Sequence, residues 1–417
     1  MDHRQGCTPL DHLTRRGFLF SAGAAAVGAM NFAGIAAADE QLKMKARQCV
    51  LFWQSGGVSQ FESWDPKPGT QYGGPFAAIK TSVPGLHVCE LLPHTAKQMH
   101  HLAVVRTIHT NENDHGLGSY MMTRGFSKTP GFDYPHVGSA FAKLIKPTDP
   151  ELPGFVGNSG NSAAGFLGSK FAPVNVSRVA DLLRPPKNMD AAADQRRRSL
   201  RDQINASFAD GRDPKKLEIY NESYNQSTKL MARSDVFNFD KLPEKDLLRY
   251  GKSQFARKCI EAKMLLEKGI TFVQVDHDNY DSHAINFDTH IRLLGQFDQP
   301  FAAFMEDIAA SGLLEHTLVI VMGEFGRTPK INERMGRDHW GKCWSMALGG
   351  CGIARGAVCG KTNEKGTETV DGLVKPGDLF STFYHAVGLD PHDEWSDRGR
   401  PIQKVEKHTD VIKQLFT

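Results

Sequence analysis

Short apolar segments recur along the chain, and several of them end directly in a cluster of polar residues. Gln48–Gln54 (QCVLFWQ), Leu102–Ile108 (LAVVRTI) and residues 318–322 (LVIVM) show the pattern most clearly. Brief apolar runs of this kind, rich in β-branched and aromatic residues, predict buried strands. Strands are expected over residues 48–54, 102–108, 153–157, 271–275, 318–322 and 345–348.

Between these segments, apolar residues return at helical spacing. Helices are expected over residues 90–99, 118–125, 137–146, 253–268, 290–311 and 375–387. Strands that alternate with helices of this length are typical of βαβ units. The sequence therefore predicts an α/β fold with a central, mostly parallel sheet sandwiched by helices. Residues 176–252 are charged, helix-like and poor in aromatic residues, which indicates a helical insertion or lid on that sheet.

The N-terminus has the features of a targeting signal. Arg15 and Arg16 form a twin-arginine pattern, a weakly apolar Gly/Ala-rich stretch follows, and small residues at 36–38 precede Asp39. This order predicts that residues 1–38 are a cleaved twin-arginine signal peptide and that residues 39–417 form one domain. We expect export in folded form through the twin-arginine translocation machinery, to the periplasm or beyond. No later segment approaches 18 apolar residues, so stable membrane insertion is not expected.

Charge and cysteine content narrow the class of protein. The 417 residues carry a formal net charge of +3 with both signs mixed, which gives no argument for a nucleic-acid partner. Of seven cysteines, Cys7 lies in the signal segment, and the other six can either pair in an oxidising compartment or remain buried thiols. The chain has no C-x-x-C pair, so a cysteine-based zinc site has little support.

Four predicted strand ends lead into polar clusters, at residues 54–65, 109–115, 276–283 and 324–339. The carboxyl ends of parallel strands share one edge of a sheet, so these clusters can converge there. In the first of them, the Gly56-Gly57 pair allows the backbone to approach a ligand closely.

The residue types in these clusters suit a metal or an anion. Carboxylate oxygens and imidazole nitrogens are ligands for zinc, manganese or iron. The predicted metal ligands are Asp281, His283, Glu324 and His339. Arg327 or Arg337 is expected to hold a tetrahedral oxyanion through a bidentate contact. Each of these residue types taken alone is more often structural, so the prediction depends on Asp281 and His339 meeting at one rim.

The motifs around these positions resemble a known family. They are GG-x-SQFESWDPKP, NDHGLGSYMMTRG, VDHDNYDSHAINFD, EFGRTPKIN, GRDHW and ALGGCGIARGAVCGKTN, and they extend from about residue 48 to residue 390. With its twin-arginine start, the chain is similar to the exported proteins with domain of unknown function 1501, in the alkaline phosphatase and sulfatase superfamily. That resemblance implies a mixed sheet between helices, metals at the strand ends, and hydrolysis of phosphate or sulfate esters.

Some positions follow the superfamily pattern with changes. Asp281 and His283 resemble its Asp-x-x-x-His metal pair with shorter spacing, and His339 resembles its late histidine ligand. Glu324-Phe325 stands where those enzymes have Asp-His, so one ligand is altered and one is lost.

Two departures are larger. Gln54 or Ser55 stands where the first strand of such enzymes ends in a metal-binding Asp. The slot for their nucleophile holds Asp114-His115, so a hydroxyl or thiol nucleophile is missing unless Ser59 or Thr110 replaces it.

From the converging polar clusters and the family resemblance, the chain is expected to be an exported metal-assisted hydrolase of sulfate or phosphate esters. Its substrate would be a small-molecule or glycan ester, and zinc, manganese or calcium its metal.

In this hypothesis, His115 acts as an acid/base group or a further ligand, with Asp114 beside it in the catalytic set. The alternative is a non-catalytic binding protein of the same fold, in which the same cleft holds a glycan or a protein partner. The missing nucleophile and the missing first-strand Asp favour that alternative.

Overall fold

A computed structural model describes residues 47–416. It leaves out positions 146, 158–160, 176–189, 210–220, 222–223, 225–227, 229–232, 238, 240–241, 278 and 398. The chain divides into residues 1–45 and residues 46–417, and all that follows concerns the second unit. The predicted signal peptide, residues 1–38, lies outside the described residues.

The elements of this unit alternate between strands and helices. The strands are β1 Gln48–Gln54, β2 Ala78–Lys80, β3 His87–Cys89, β4 Leu102–Ile108, β5 Phe155–Val156, β6 Phe272–His277, β7 Thr317–Met322, β8 Gly326–Arg327, β9 His339–Trp340, β10 Trp344–Gly349, β11 Val358–Cys359, β12 Lys361–Thr362, β13 Thr369–Asp371, β14 Glu394–Asp397 and β15 Arg400–Gln403. The α-helices are α1 His115–Arg124, α2 Val137–Leu144, α3 Ala191–Ala209, α4 Glu244–Tyr250, α5 Gln254–Glu267, α6 Asn286–Ala310 and α7 Pro376–Ala386. Short 3-10 helices cover Thr95–His101, Asn161–Leu167, Ser169–Phe171, Ser234–Phe237, Leu313–His316 and Lys413–Leu415.

Seven strands form the central sheet in the order β11-β4-β10-β7-β1-β6-β5. Strand β1 pairs in parallel with both β6 and β7, and β5 and β11 pair in parallel with β6 and β4. Only β10 is reversed among these seven, because it pairs antiparallel with both β4 and β7. The predicted α/β class with a mostly parallel sheet is confirmed, and the ends of β1, β4, β6 and β7 share one edge.

Both faces of the sheet are covered by helices. Alternate residues of a strand point to opposite faces. In β1, Val50 and Phe52 belong to one apolar cluster, while Cys49, Leu51 and Trp53 belong to the other. The first cluster includes residues of α5 and α6, and the second includes residues of α2 and α7.

The largest error in predicted secondary structure concerns the helix expected over residues 90–99. The structure has strand β3, a turn, and then only the 3-10 helix Thr95–His101. Pro93 interrupts the segment, and the carboxylate of Asp298 accepts the backbone N–H groups of His94 and Thr95. Those two donors are thereby satisfied from α6, so the first turn is fixed by a partner that is distant in sequence.

Within residues 176–252, the described parts are helical where they form regular structure, namely α3, α4 and the short turn Ser234–Phe237. Residues 176–189 and much of 210–241 in the predicted insertion lie outside the described residues. The six cysteines that the structure describes are all buried free thiols. No helix within the described ranges has the length and apolar character needed to cross a membrane.

Candidate metal site

Four loops that follow strands meet at the shared edge of the sheet. The loop after β4 leads to His115 at the start of α1, and the loop after β6 carries Asp281 and His283. His339 belongs to β9, which pairs with β8 just beyond β7. The loop after β1 contributes Gly56, where a side chain would reach within 2.5 Å of the Asp281 nitrogen.

The centre of the site is the carboxylate of Asp281. Its Oδ1 lies 3.0 Å from Nε2 of His339 and 3.2 Å from Nε2 of His283, and its Oδ2 lies 3.2 Å from Nε2 of His115. The Nε2 atoms of His283 and His339 are 2.9 Å apart. We call these four residues the histidine cluster. Ligand atoms of His115, Asp281 and His339 all lie within 4.8 Å of one another, a spacing that can hold a metal ion.

The other ring nitrogen of each histidine faces an acceptor. Nδ1 of His115 is 2.8 Å from Oε1 of Glu324, and Nδ1 of His283 is 2.7 Å from Oδ1 of Asp338. Nδ1 of His339 is 2.6 Å from the backbone carbonyl oxygen of Asn113. A carbonyl or an ionised carboxylate only accepts hydrogen bonds, so the partners assign the proton of each ring to Nδ1.

This tautomer leaves a lone pair on each Nε2 of a neutral ring, directed at a carboxylate that also carries only lone pairs. Such an arrangement is repulsive unless a proton or a cation lies between the groups. Metal-binding histidines characteristically donate their second ring N–H to a carboxylate or a carbonyl. The orientation of all three imidazoles therefore matches that of metal ligands.

The spacing also fits a small divalent cation. Ligand bonds of about 2.0–2.1 Å place ligand atoms about 2.9 Å apart in octahedral geometry and about 3.4 Å apart in tetrahedral geometry. The triangle formed by Asp281 Oδ1 and the Nε2 atoms of His283 and His339 has edges of 2.9, 3.0 and 3.2 Å. A set of imidazole nitrogens and one carboxylate suits zinc or manganese, whereas calcium takes oxygen ligands.

Glu324 does not occupy the ligand position predicted for it. Its side chain is buried, and Oε1 accepts the backbone N–H of Gly56 and the Nδ1–H of His115, both at 2.8 Å. The side chain thus lies behind His115, and the imidazole stands between Glu324 and Asp281. The hydrogen bond to Glu324 raises the pKa of His115, and the nearby charge of Asp281 raises it further.

Arg327 is not available to hold an oxyanion, because its guanidinium is fully buried and engaged. It donates to Oδ1 of Asp281 at 2.7 Å, to the carbonyls of Gly57 and Arg337 at 2.9 and 3.1 Å, and to the carbonyl of Gly56. Partial burial opposes ionisation of Asp281, but the hydrogen bond from Arg327 prevails and holds its pKa well below the usual range. Arg327 thus fixes the position and charge of Asp281.

Arg337 is also fully buried, and its predicted role at an oxyanion is not supported by the geometry. The guanidinium donates to Oε1 of Glu62 at 3.0 Å and to the backbone carbonyls of Tyr72, Thr328 and Pro329, the last at 2.6 Å. Its position is set by the buried charge of Glu62.

Asp114 also has a structural contact, since its Oδ1 accepts the Leu117 N–H at 2.9 Å and caps α1. That cap fixes the first turn of the helix that carries His115.

Neither hydroxyl considered as a substitute nucleophile is open at this site. Ser59 is fully buried, and Thr110 is 7% exposed, with its hydroxyl turned to the carbonyl of Gly341 at 3.3 Å. Gln54, at the end of the first strand, is buried as well.

Three supporting groups were not predicted as site residues. Asp338 and the Asn113 carbonyl hold two of the imidazoles, and the buried ring of Phe325 lies 4.4 Å from the ring of His339 and 5.1 Å from that of His115. Asp338 could have been identified from the sequence, because it directly precedes the predicted ligand His339. A backbone carbonyl leaves no such signal.

Several solved structures are similar to this chain. A protein in the alkaline phosphatase superfamily from Vibrio parahaemolyticus is 10% identical with a TM-score of 0.41, over 83% of this chain and 67% of that one. The lipoteichoic acid synthase LtaP from Listeria monocytogenes is 8% identical with a TM-score of 0.36, over 87% and 75%. The phosphonate monoester hydrolase SpPMH from Silicibacter pomeroyi is 11% identical with a TM-score of 0.38, over 89% and 77%.

A comparison with curated proteins gives no match. One family model matches nearly the whole of the described unit, residues 46–416, and its description is "Protein of unknown function (DUF1501)". A match of this length covers the complete histidine cluster and the sheet that positions it. The chain therefore belongs to the DUF1501 family.

Proposed function

We propose that this protein is a metal-assisted hydrolase of phosphate or sulfate esters. The observation that carries the proposal is the convergence of three imidazole Nε2 atoms on the carboxylate of Asp281, with every Nδ1 turned to an acceptor. Asp281, His283 and His339 would hold the cation, because their ligand atoms form the tight triangle. Zinc or manganese fits this donor set best, and calcium fits it least.

When bound, the cation supplies a Lewis acid that polarises an ester oxygen and lowers the pKa of coordinated water. The protein groups around it have separate tasks. Arg327 orients Asp281 and keeps it ionised, and Asp338 and the Asn113 carbonyl keep the lone pairs of His283 and His339 directed inward. These contacts fix the ligand atoms before substrate arrives, which lowers the reorganisation needed for binding.

His115 is the group best placed to transfer a proton. It faces Oδ2 of Asp281, whereas the triangle uses Oδ1, and it is partly exposed. Hydrogen bonding to Glu324 raises its pKa and keeps the Nδ1 proton in place. Protonated His115 can therefore donate from Nε2 to a leaving oxygen, and neutral His115 can accept a proton there.

The proposed ester class rests on the family resemblance of the motifs. The proposed cellular location rests on the signal-peptide pattern in residues 1–38. We propose that the protein reaches the periplasm through the twin-arginine machinery. A double Arg15→Lys, Arg16→Lys variant should then remain in the cytoplasm, as measured by cell fractionation. Equal export of the variant would contradict this route.

The metal site is tested by calorimetric titration of zinc and manganese into metal-free protein. We expect His339→Ala to lower zinc affinity by about 100-fold or more, since it removes one of three ligands. His115→Ala should lower it by less than about tenfold, because His115 is assigned to proton transfer. His392→Ala is the matched control, since this exposed histidine lies outside the cluster, and it should bind zinc as the wild type does.

Turnover is then measured with aryl phosphate and aryl sulfate esters under added zinc, manganese or calcium. We expect hydrolysis of at least one ester class with zinc or manganese, and loss of turnover in both His339→Ala and His115→Ala. Absence of metal binding would contradict the proposed site. Metal binding without turnover of either ester class would contradict the proposed reaction.

A further inference from the structure

Ile285 occupies a position where an apolar β-branched residue is unfavourable in three ways. Its backbone is left-handed, with φ 47° and ψ 42°, a conformation that disfavours β-branched side chains. Its side chain is 59% exposed. It also stands at the N-cap of α6 and makes no capping hydrogen bond. An Asn would satisfy all three requirements, since it tolerates this conformation, is polar, and caps helices.

Met335 repeats the pattern beside it. Its φ is 55°, and its side chain is 56% exposed. The two segments are joined by backbone hydrogen bonds, from the Asn286 N–H to the Met335 carbonyl at 2.9 Å and from the Ile285 N–H to the Arg334 carbonyl at 3.0 Å. Two exposed apolar residues in a costly conformation are therefore fixed next to each other. We call Ile285 and Met335 the apolar rim.

The apolar rim is tied to the histidine cluster. Ile285 is two residues after His283, and the Asn332 side chain donates to the His283 carbonyl at 3.0 Å. Gly336, next to Met335, packs so closely that a Cβ would lie 2.0 Å from that same carbonyl oxygen. The rim cannot move far without moving the backbone of His283.

Backbone strain that the fold retains is concentrated at functional sites, where the strained residue has a task that a relaxed one would not perform. Here the strain supports exposed apolar surface beside a proposed cation site. A ligand that matches both features has a tetrahedral anionic group for the cation and an apolar substituent for the rim.

We propose that the apolar rim contacts the organic substituent of the substrate, so that the site selects tetrahedral anions carrying an aryl group or an alkyl group larger than methyl. This inference rests on the proposed function and adds a substrate class to it. Covering a few tens of Å² of apolar surface on the ligand and on Ile285 corresponds to about a five- to tenfold gain in affinity.

The test compares two non-hydrolysable probes, phenylphosphonate and methylphosphonate, by calorimetric titration into zinc-loaded protein. We expect the wild type to bind phenylphosphonate about tenfold more tightly than methylphosphonate. Ile285→Asn should reduce this preference to about twofold and leave methylphosphonate affinity and zinc affinity unchanged. The same variant should unfold at an equal or higher temperature, because Asn relieves the strain and caps α6. A purely structural role would not change the ratio between the probes.

Ile291→Asn is the matched control, since Ile291 is 50% exposed on the same helix and lies six residues further along it. It should leave the preference at the wild-type value. Equal affinity of the wild type for both phosphonates, or an unchanged preference in Ile285→Asn, overturns this inference while the metal site stands. Failure of zinc or methylphosphonate to bind overturns the proposed function and this inference with it. A change in molecular mass by sedimentation on Ile285→Asn would identify the rim as a contact between copies and would also overturn it.

Discussion

Gly56→Ala tests whether the site depends on a close approach between the loop after β1 and the loop after β6. Gly56 has φ +95°, and a Cβ there would lie 2.5 Å from the Asp281 nitrogen and 2.7 Å from the Tyr280 nitrogen. Both neighbours are backbone atoms, so they cannot turn aside as a flexible side chain would. The left-handed conformation contributes about 1 kcal/mol of destabilisation, and the forced displacement about 1–3 kcal/mol more.

We therefore expect Gly56→Ala to lower the free energy of unfolding by about 3 kcal/mol. It should also weaken zinc binding by at least about tenfold, because the displaced atoms belong to the residue at the centre of the cluster. The stability is measured by urea unfolding of the metal-free protein, and the affinity by calorimetric titration of zinc. Displacing a site residue by about 1 Å is enough for an effect of this size.

Gly69→Ala provides the matched control. Gly69 also has a left-handed backbone, with φ +73°, but a Cβ there would meet nothing within 4 Å. Its substitution should destabilise by about 1 kcal/mol, from conformation alone, with zinc affinity unchanged. The difference between the two variants in unfolding free energy measures the effect of the steric contact with the Asp281 loop. Equal destabilisation of both, together with wild-type zinc affinity in Gly56→Ala, would refute the reasoning.

Two further variants separate groups that act on the site from groups that only hold the fold. Glu324→Gln should lower the pKa of His115, which the hydrogen bond to Glu324 raises, and an NMR titration of metal-free protein measures the change. An unchanged pKa would contradict the assignment. Because the pKa of His115 is raised in the folded protein, protonation of this residue stabilises the fold. That stabilisation is complete below the ordinary pKa of 6.5 and is lost as the pH rises through the raised pKa. The wild type should therefore lose more stability than Glu324→Gln across that interval. Arg337→Met leaves the buried carboxylate of Glu62 unpaired and should destabilise by about 3–5 kcal/mol in urea unfolding. Zinc affinity of that variant should stay within about twofold of wild type, and a larger loss would show that Arg337 acts on the cluster.

The sheet was predictable because its signals are local. Gln48–Gln54, Leu102–Ile108 and residues 318–322 are continuous apolar runs, and the structure has β1, β4 and β7 there. The convergence of polar loops followed from the parallel arrangement of these strands. The start of α1 was placed three residues late, since Asp114 caps it and draws His115 into the first turn.

The side-chain roles were harder to predict because they depend on direction and burial. Glu324 follows β7 as expected, yet it turns under His115 and takes the Gly56 N–H. Arg327 and Arg337 have the right chemistry for an oxyanion, but both are fully buried and their terminal guanidinium nitrogens are bonded to other protein groups. Sequence spacing reports which residues share a loop and does not report which way each one faces.

The position of β10 between β4 and β7 has a consequence for how the protein folds. In the central sheet, β4 joins β7 only through β10, and β1 lies between β6 and β7. Apart from β7 and β10, these neighbours are far apart in the chain, so the sheet consists mainly of pairings between distant segments, which form slowly. A growing chain cannot place β4 beside the others until residues 344–349 have been added. The loop that carries His115 is therefore recruited late, and nearly the full polypeptide must be present before the cluster exists.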